Sequence, residues 1–290
     1  MYRIAILGCE NSHADAFLKS IITDKDYTDI EVVGVYSDED DALQRMKESF
    51  GVYCASSYDE FVGKVDGIMI TARDGKNHYK YAKPYIKSGI PMFIDKPITS
   101  DNDEAVEFMK ELKSHGCRVT GGSTCVYADV VRELSELVRD KKEGKVYGGF
   151  LRAPISMTNN YGGFFFYAQH LTEVMMKIFG YRPASVKAYQ NENVITLNVR
   201  YPEYDVSAQF VDGNYKYAAY VSCEGGVIGS EYPVTEKLYA NELASFYSLL
   251  TGGEGKTNLE DFVAPVFFMS ATLKSLECGE EVAPQPIGEI

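Results

Sequence analysis

The sequence predicts an α/β protein with an N-terminal doubly wound parallel sheet and a C-terminal α+β domain built on a mostly antiparallel open sheet. In the first 120 residues, short apolar runs alternate with helix-like segments, which is typical of a parallel sheet covered on both faces. After Gly121-Gly122, strand-like runs follow one another without intervening helices. We therefore expect domains at residues 1–121 and 122–290.

The elements of the first domain follow from periodicity. Apolar runs predict strands, and amphipathic segments between most of them predict helices, the third ending at the stop signal Gly89. Strands are expected at Ile4–Leu7, Val32–Val35, Ile68–Ile70, Met92–Ile94 and Arg118–Thr120, and helices at Ser12–Thr23, Asp40–Phe50, Asn77–Ser88 and Asp101–Ser114.

The second domain is predicted to open and close with helices. Helical spacing is expected over Ala128–Asp140, from near His170 to Gly180, and over Lys237–Leu250 and Asn258–Leu276. Strands are expected at Ser185–Gln190, Asn193–Tyr201, Asp205–Val211 and Tyr215–Cys223, with turn residues separating the later ones.

Composition narrows the classes of function. The net charge of −13 argues against a nucleic-acid partner, because phosphate binding needs a basic surface. No apolar run approaches the roughly 20 residues of a membrane span, and no export signal is evident, so a cytoplasmic protein is expected. The six cysteines lack C-x-x-C spacing and the four histidines are scattered, so no metal site is predicted.

The first strand runs into Gly8, as in a nucleotide-binding turn, where the start of the next helix can hold a phosphate. The full fingerprint has glycine at two further positions, occupied here by Glu10 and His13. Glu10 would weaken diphosphate binding by repulsion. Its side chain either turns away, leaving the N–H groups of residues 11–13 (Asn11, Ser12 and His13) to hold a diphosphate, or occupies that anion site until displaced. A βαβ unit that binds no nucleotide is the alternative.

The second strand ends in Ser37 and the acidic run Asp38–Asp41. An acid here would bind an adenosine ribose hydroxyl, and no base occurs before Arg45 to accept a 2′-phosphate, so the run favours NAD over NADP. A solvated helix start explains the same acids equally well.

Two further segments carry candidate chemistry. Lys96, in Asp95-Lys96-Pro97, follows a parallel strand and would face the ligand crevice, although such a turn taken alone is more often structural. His170 lies in a predicted helix with Glu173 and Lys177 on the face opposite the apolar stripe, where a lone histidine more often serves the surface or the packing.

Taken in order, these pieces resemble the Gfo/Idh/MocA family of NAD(P)-dependent sugar and cyclitol oxidoreductases over nearly the whole chain. The matching pieces are the glycine turn Ile4–Gly8, the T-P-x-x-x-H-like loop from Thr71 to His78, Asp95-Lys96-Pro97 for Glu-Lys-Pro, Gly162-Gly163 with the segment Phe166 to Glu173, and the closing helix after Leu259.

The resemblance implies a Rossmann domain, with the nicotinamide between the domains, and a hydride transfer between NAD and a polyol or sugar. Lys96 would bind the reacting hydroxyl, and His170 would be its acid/base partner. The implied cofactor-binding residues are Gly8, Glu10, Asn11, Ser12, His13, Ser37, Asp38, Thr71, His78, Asp95 and Lys96, and the implied substrate-binding residues are Lys96, Tyr161, Tyr167 and His170. A homodimer or homotetramer through the C-terminal sheet is also implied.

Three departures separate this chain from the family pattern: the two missing glycines, Phe166 in place of an aspartate four residues before His170, and a somewhat shorter chain. The leading hypothesis is an NAD-dependent oxidoreductase acting on a sugar, cyclitol or derivative. The alternatives are a non-catalytic nucleotide- or sugar-binding or regulatory member of the fold, and an oxidoreductase for another substrate such as a dipyrrole or a diol.

Overall fold

The computed structural model describes residues 1–255 and 258–288, which form two compact units. The first unit comprises Met1–Gly122 together with the described residues of Thr235–Leu259, and the second comprises Ser123–Val234 and residues 260–288. A single boundary after residue 121 is therefore wrong for one segment, because residues 235–259 return to the first unit.

The first unit contains a five-stranded sheet in the order β2-β1-β3-β4-β5, with every neighbouring pair parallel. The chain winds to one side of β1 and then to the other, so the switch point where such sheets bind ligands lies at the carboxyl end of β1. The predicted doubly wound sheet is confirmed.

The strands and helices of the first unit up to Gly122 alternate along the chain. They are β1 (Tyr2–Leu7), α1 (Ser12–Leu18, continued by a π-helical turn at Lys19–Thr23), β2 (Ile30–Tyr36), α2 (Asp40–Phe50), β3 (Gly67–Ile70), α3 (Lys76–Ile86), β4 (Met92–Asp95), α4 (Asn102–Ser114) and β5 (Val119–Gly122).

The second unit contains a six-stranded sheet in the order β11-β10-β6-β9-β8-β7. Only β6 and β9 pair in parallel, so the predicted mostly antiparallel sheet is confirmed. The elements from Ser123 to Tyr232 are a 3₁₀ turn (Thr124–Tyr127), α5 (Asp129–Asp140), β6 (Val146–Ile155), α6 (Phe164–Phe179), β7 (Ser185–Asn191), β8 (Val194–Arg200), β9 (Asp205–Asp212), β10 (Tyr217–Cys223) and β11 (Gly226–Tyr232). Two helices follow, α7 (Glu236–Leu250) and α8 (Leu259–Cys278). In the described part of the chain, each helix is too short or too polar to cross a bilayer.

Helix α7 belongs to the first unit because its apolar face completes the core beside α1. Leu243 and Phe246 pack in one buried cluster with Phe17 of α1 and Phe93 of β4. Helical periodicity shows that α7 has an apolar face, but it does not show which sheet that face covers, which is why the sequence misplaced this segment.

Three elements of the second unit differ from the predictions. Strands β6 and β11 were not predicted, since glycines and Pro154 interrupt the apolar run of β6, and β11 is mostly exposed. Helix α6 begins at Phe164, well before His170, because Gly162 and Gly163 adopt positive φ and let the chain enter the helix at once.

The predicted oligomer contact assumed an exposed apolar sheet face. On β8 and β9 the outward positions carry polar side chains, including Thr196, Asn198, Ser207 and Gln209, which alternate with buried apolar ones. This part of the sheet can therefore face water without a partner. Assembly into a homo-oligomer stays a prediction.

Gly8→Ala should destabilise the protein far more than Gly51→Ala. Both glycines have positive φ, but a Cβ on Gly8 would lie 2.2 Å from the Cα of Ala72, whereas one on Gly51 meets nothing within 4 Å. We expect a loss of about 1 kcal/mol for Gly51→Ala from backbone strain, and about 3 kcal/mol or more for Gly8→Ala from strain plus steric overlap. Chemical denaturation measures both losses, and equal losses would show that the turn relaxes freely.

Candidate active site

The turn after β1 is joined to the ends of two neighbouring strands. Gly8 adopts φ +87° and packs against the loop after β3, where only glycine fits. Its N–H donates to the carbonyl of Tyr36 at the end of β2 (2.8 Å), and the hydroxyl of Thr71 donates to the Gly8 carbonyl (3.0 Å). The predicted residues Gly8 and Thr71 thus meet at the switch point of the sheet.

The Glu10 side chain takes the first of the two positions expected for it, turned away from the start of α1. Its side chain is only 8% exposed. Its Oε2 accepts a hydrogen bond from the Ser37 hydroxyl (2.7 Å), and its Oε1 accepts one from the backbone N–H of Arg73 (2.8 Å). These partners follow β2 and β3, so the side chain is buried against the ends of those strands and does not bind at the start of α1. The Arg73 guanidinium also donates to the Glu10 carbonyl.

Asp38 is held by side chains that the sequence did not connect with it. Its carboxylate accepts hydrogen bonds from the hydroxyls of Tyr36 and Tyr81 (2.7 Å for Tyr81), and the Lys80 ammonium lies 3.8 Å away. The hydrogen bond from Tyr36 lowers the pKa of Asp38. The expectation that no base lies near the acidic run is wrong, because Lys80 reaches it from α3.

Asp95, the last residue of β4, has a fully buried carboxylate. Its Oδ2 accepts a hydrogen bond from the Asn11 amide (2.8 Å) and lies 3.2 Å from Nδ1 of His13, while its Oδ1 accepts the N–H of Lys96 (2.7 Å). Burial raises the pKa of Asp95. Asn11 occupies the N-cap position of α1 but uses its side chain on Asp95, so it ties the β1 turn to the segment that carries Lys96.

His13 stands between two buried carboxylates. Its Nδ1 faces Asp95, and its Nε2 lies 3.3 Å from an oxygen of Glu242 on α7. Burial lowers the pKa of His13, against the opposing effect of Asp95. The ring also contacts Tyr239, at 5.0 Å between ring centroids. The missing third glycine is thus replaced by a side chain that joins α1, β4 and α7.

The remaining predicted residues of the first unit lie around this cluster. Lys96 is 5% exposed and is followed by a cis peptide bond to Pro97. His78 is fully buried, and its Nε2 lies 2.9 Å from the carbonyl of Ala72, so it supports the loop after β3. Ser12 is exposed at the start of α1.

In the second unit, His170 is buried on α6. Its Nδ1 lies 2.8 Å from Oγ of Ser123, which accepts the backbone N–H of Cys125 (3.1 Å). Glu173, one turn later, accepts the N–H of Ser123 (2.6 Å). Of the three residues expected opposite the apolar stripe, His170 and Glu173 are buried and contact the segment after β5. Lys177 alone of the three is exposed.

An aromatic group lies next to His170. The Phe166 ring is 5.5 Å from Tyr161 and 4.9 Å from Tyr167 between centroids, and Tyr167 is 5.9 Å from His170. Tyr161 and Tyr167, the predicted substrate residues, thus lie in one group with His170. Phe166 contributes a ring to this group where a carboxylate was expected.

Sequence reasoning missed three residues of these clusters, namely Arg73, Ser123 and Glu242. Each meets its partner only through the tertiary structure: Arg73 is an unspecified position of the loop from Thr71 to His78, and Ser123 and Glu242 belong to no recognisable motif. Ser123 had a weak signal, since it lies three residues after the predicted strand Arg118–Thr120. Within residues 1–255 and 258–288, no group of three or more His, Cys, Asp or Glu side chains is arranged to hold a metal ion.

His13→Ala should destabilise the protein by about 3 kcal/mol, because it leaves two buried carboxylates facing each other without the ring between them. Replacing Glu242 with Gln in that variant should recover part of the loss by removing one of the two acids. His115→Ala is the matched control, since His115 is exposed, and should change stability by about 0.5 kcal/mol or less. Chemical denaturation at neutral pH measures all three variants, and equal losses at positions 13 and 115 would contradict the cluster's role.

Comparisons with known proteins agree with this architecture. Residues 2–123 match the sequence profile of the Gfo/Idh/MocA group, described as an oxidoreductase family with an NAD-binding Rossmann fold. No curated protein matched the sequence.

Several solved structures share the fold of the whole chain at low identity. A putative myo-inositol dehydrogenase from Sinorhizobium meliloti 1021 has a TM-score of 0.84 at 15% identity, covering 98% of this chain and 100% of its own. A myo-inositol dehydrogenase from Corynebacterium glutamicum has a TM-score of 0.83 at 17% identity, covering 99% of both chains. The scyllo-inositol dehydrogenase from Lactobacillus casei with bound NAD(H) and scyllo-inositol has a TM-score of 0.84 at 15% identity, covering 98% of this chain and 99% of its own.

The groups at the switch point fit the cofactor of this family. Gly8 forms a turn that tolerates no side chain, carboxylates of Glu10 and Asp38 lie beyond the ends of β1 and β2, and a buried lysine follows β4. Such groups match the diphosphate, ribose and reacting ends of a dinucleotide. The comparison agrees with the family prediction over residues 2–123, which match the model of the Gfo/Idh/MocA oxidoreductase family with its NAD-binding Rossmann fold.

Proposed function

We propose that this protein is an NAD-dependent oxidoreductase that transfers a hydride between the nicotinamide and a hydroxyl-bearing carbon of a cyclitol, sugar or derivative. The observation that carries the proposal is the hydrogen bond from Asn11 to Asp95 (2.8 Å), which joins the nucleotide turn to the segment bearing Lys96. The structural neighbours named for myo- and scyllo-inositol support the polyol substrate class.

Lys96 is proposed to hold the reacting hydroxyl and to accept its proton. The residue follows the carboxyl end of β4, where parallel sheets bind ligands, and its side chain is shielded from bulk water. NAD, when bound, supplies the hydride acceptor, so alcohol oxidation yields a carbonyl compound, NADH and a proton. The protein's part is therefore to position the alcohol and to handle this proton.

His170 is proposed to hydrogen-bond the substrate through Nε2. Ser123 Oγ already accepts the N–H of Cys125, which leaves its own proton available for Nδ1 of His170. A neutral imidazole that accepts at Nδ1 carries its proton on Nε2, where it donates. Ser123 would then orient the ring in the role usually given to a carboxylate partner, and this would offset the replacement of an aspartate by Phe166.

A non-catalytic ligand-binding or regulatory protein is the second candidate, and Phe166 is the observation that favours it. An aromatic ring at this position cannot bind a hydroxyl as a carboxylate does. The two candidates differ in turnover and not in cofactor binding, so a screen of sugars and inositols with NAD separates them. We further propose a cytoplasmic homo-oligomer for either candidate.

NADH should bind at least tenfold more tightly than NADPH, a difference of about 1.4 kcal/mol. The acids of the run Asp38–Asp41, together with Glu10, would repel a 2′-phosphate, and Lys80 is already engaged with Asp38. A fluorescence titration of the purified protein with both cofactors measures the ratio. Equal or tighter binding of NADPH would overturn this cofactor preference.

Lys96→Met and His170→Ala should each lower turnover by about 10²–10⁴, the usual contribution of a positioned acid/base group. NADH affinity should change little for His170→Ala, since the cofactor turn lies in the first unit. Lys87→Met and His115→Ala, at exposed positions, are the matched controls and should keep wild-type rates. Steady-state kinetics on the substrate found in the screen provides the measurement. Wild-type turnover in both site variants would refute the assignment.

A further inference from the structure

Dinucleotide-binding sheets of this type usually have an acid where the adenosine ribose binds. In this protein the acid expected there, Asp38, is already bound by other side chains. In doubly wound sheets a carboxylate beyond the second strand accepts hydrogen bonds from the ribose hydroxyls. Asp38 is the acid nearest to the end of β2, but its carboxylate accepts two tyrosine hydroxyls and faces Lys80. Ser37, the first residue after β2, is buried and has no charge to offer.

The carboxylate beside Ser37 belongs to Glu10. The Ser37 hydroxyl donates to Oε2 of Glu10, and the backbone N–H of Arg73 donates to Oε1. Because these donors follow β2 and β3, which flank β1 in the sheet, the side chain lies across the end of β1. Glu10 thus brings a carboxylate from the β1 turn to the position next to β2 that the ribose-binding acid usually occupies.

We propose that Glu10, held by Ser37 and Arg73, is the residue that binds the adenosine ribose hydroxyls of the dinucleotide in this protein. The inference deepens the proposed function and rests on it. Each carboxylate oxygen has two acceptor sites, and the protein donors described above occupy one on each. One acceptor site on each oxygen is left for the two adjacent hydroxyls of a ribose.

The electrostatic surroundings allow a carboxylate so near a diphosphate. A buried carboxylate is costly unless hydrogen bonds compensate it, and two short ones hold Glu10. The Arg73 guanidinium donates to the Glu10 carbonyl, so a positive charge lies next to the turn and offsets the repulsion expected between Glu10 and phosphate. The same geometry disfavours a 2′-phosphate, which would replace a donor with a second anion.

The alternative is that Glu10 closes the crevice and must be displaced before a dinucleotide can bind. The two hypotheses predict opposite signs for the effect of neutralising Glu10. If Glu10 binds the ribose, its removal weakens NADH binding; if it obstructs the crevice, its removal strengthens binding.

The test measures dissociation constants by isothermal titration calorimetry for wild type, Glu10→Gln and Glu10→Asp, with NADH and its 2′-deoxyadenosine analogue as ligands. Glu10→Gln should weaken NADH binding about tenfold, and Glu10→Asp should also weaken it, because it keeps the charge but shortens the reach to Ser37. Glu31→Gln, exposed near the start of β2, is the matched control and should bind as wild type does.

The 2′-deoxyadenosine analogue distinguishes a ribose contact from a purely structural role of Glu10, because only a ribose contact makes the loss of affinity for the analogue depend on Glu10. Wild type should lose about tenfold in affinity when the 2′-hydroxyl is removed, and Glu10→Gln should lose less than threefold, because its ribose contact is already weakened. The assignment of Glu10 fails if Glu10→Gln binds NADH more tightly than wild type, or if this variant loses as much affinity for the analogue as wild type does. Either result leaves the cofactor proposal standing. Failure of wild type to bind either NADH or NADPH overturns the cofactor proposal, and this inference with it.

Discussion

The buried carboxylate of Asp95 organises the candidate site. An acid removed from water needs donors, and Asp95 finds them in the Asn11 amide and the Lys96 N–H, with the His13 ring as a third neighbour. These three partners come from the β1 turn, the β4 turn and the start of α1. Satisfying one buried charge therefore fixes the entry to the first helix and the backbone that carries the candidate catalytic lysine.

The same constraint explains how the turn forms without its second and third glycines. In the usual fingerprint, the second glycine lets the protein backbone approach the diphosphate of the cofactor, and the third lets the helix pack closely on the strand. Here Glu10 and His13 stand at those two positions, and their side chains are held by donors or acids from other elements. The turn is thus fixed by side-chain contacts in the protein itself, and His13 extends the network to Glu242 on α7.

The sequence predicted what depends on local pattern and failed where contacts are distant along the chain. Alternating periodicity gave the parallel sheet, and the single retained glycine gave the switch point at Gly8. The partners of Glu10 and His170 could not be predicted, because Arg73 and Ser123 are ordinary residues until the fold brings them close. The packing of α7 against the first unit could not be predicted for the same reason, since an apolar helix face does not indicate which sheet it covers. The alternation of polar and apolar residues in β8 and β9 is visible in the sequence. Only the pairing register of the two strands shows that their polar side chains lie on the same face of the sheet.

Glu10, which helps to stabilise this turn, is also the residue that we propose to bind the cofactor, and such a double role would couple stability to binding. A glycine-rich turn can change its ligand contacts without disturbing the core, whereas Glu10 is buried and hydrogen-bonded and His13 is buried between two carboxylates. Any change that retunes cofactor binding through Glu10 must also replace the acceptor for Ser37 and for the Arg73 N–H, or leave those donors unsatisfied at about 1–3 kcal/mol each. The departure from the glycine fingerprint is therefore one that single substitutions cannot readily reverse, because both side chains have become part of the core that holds the site.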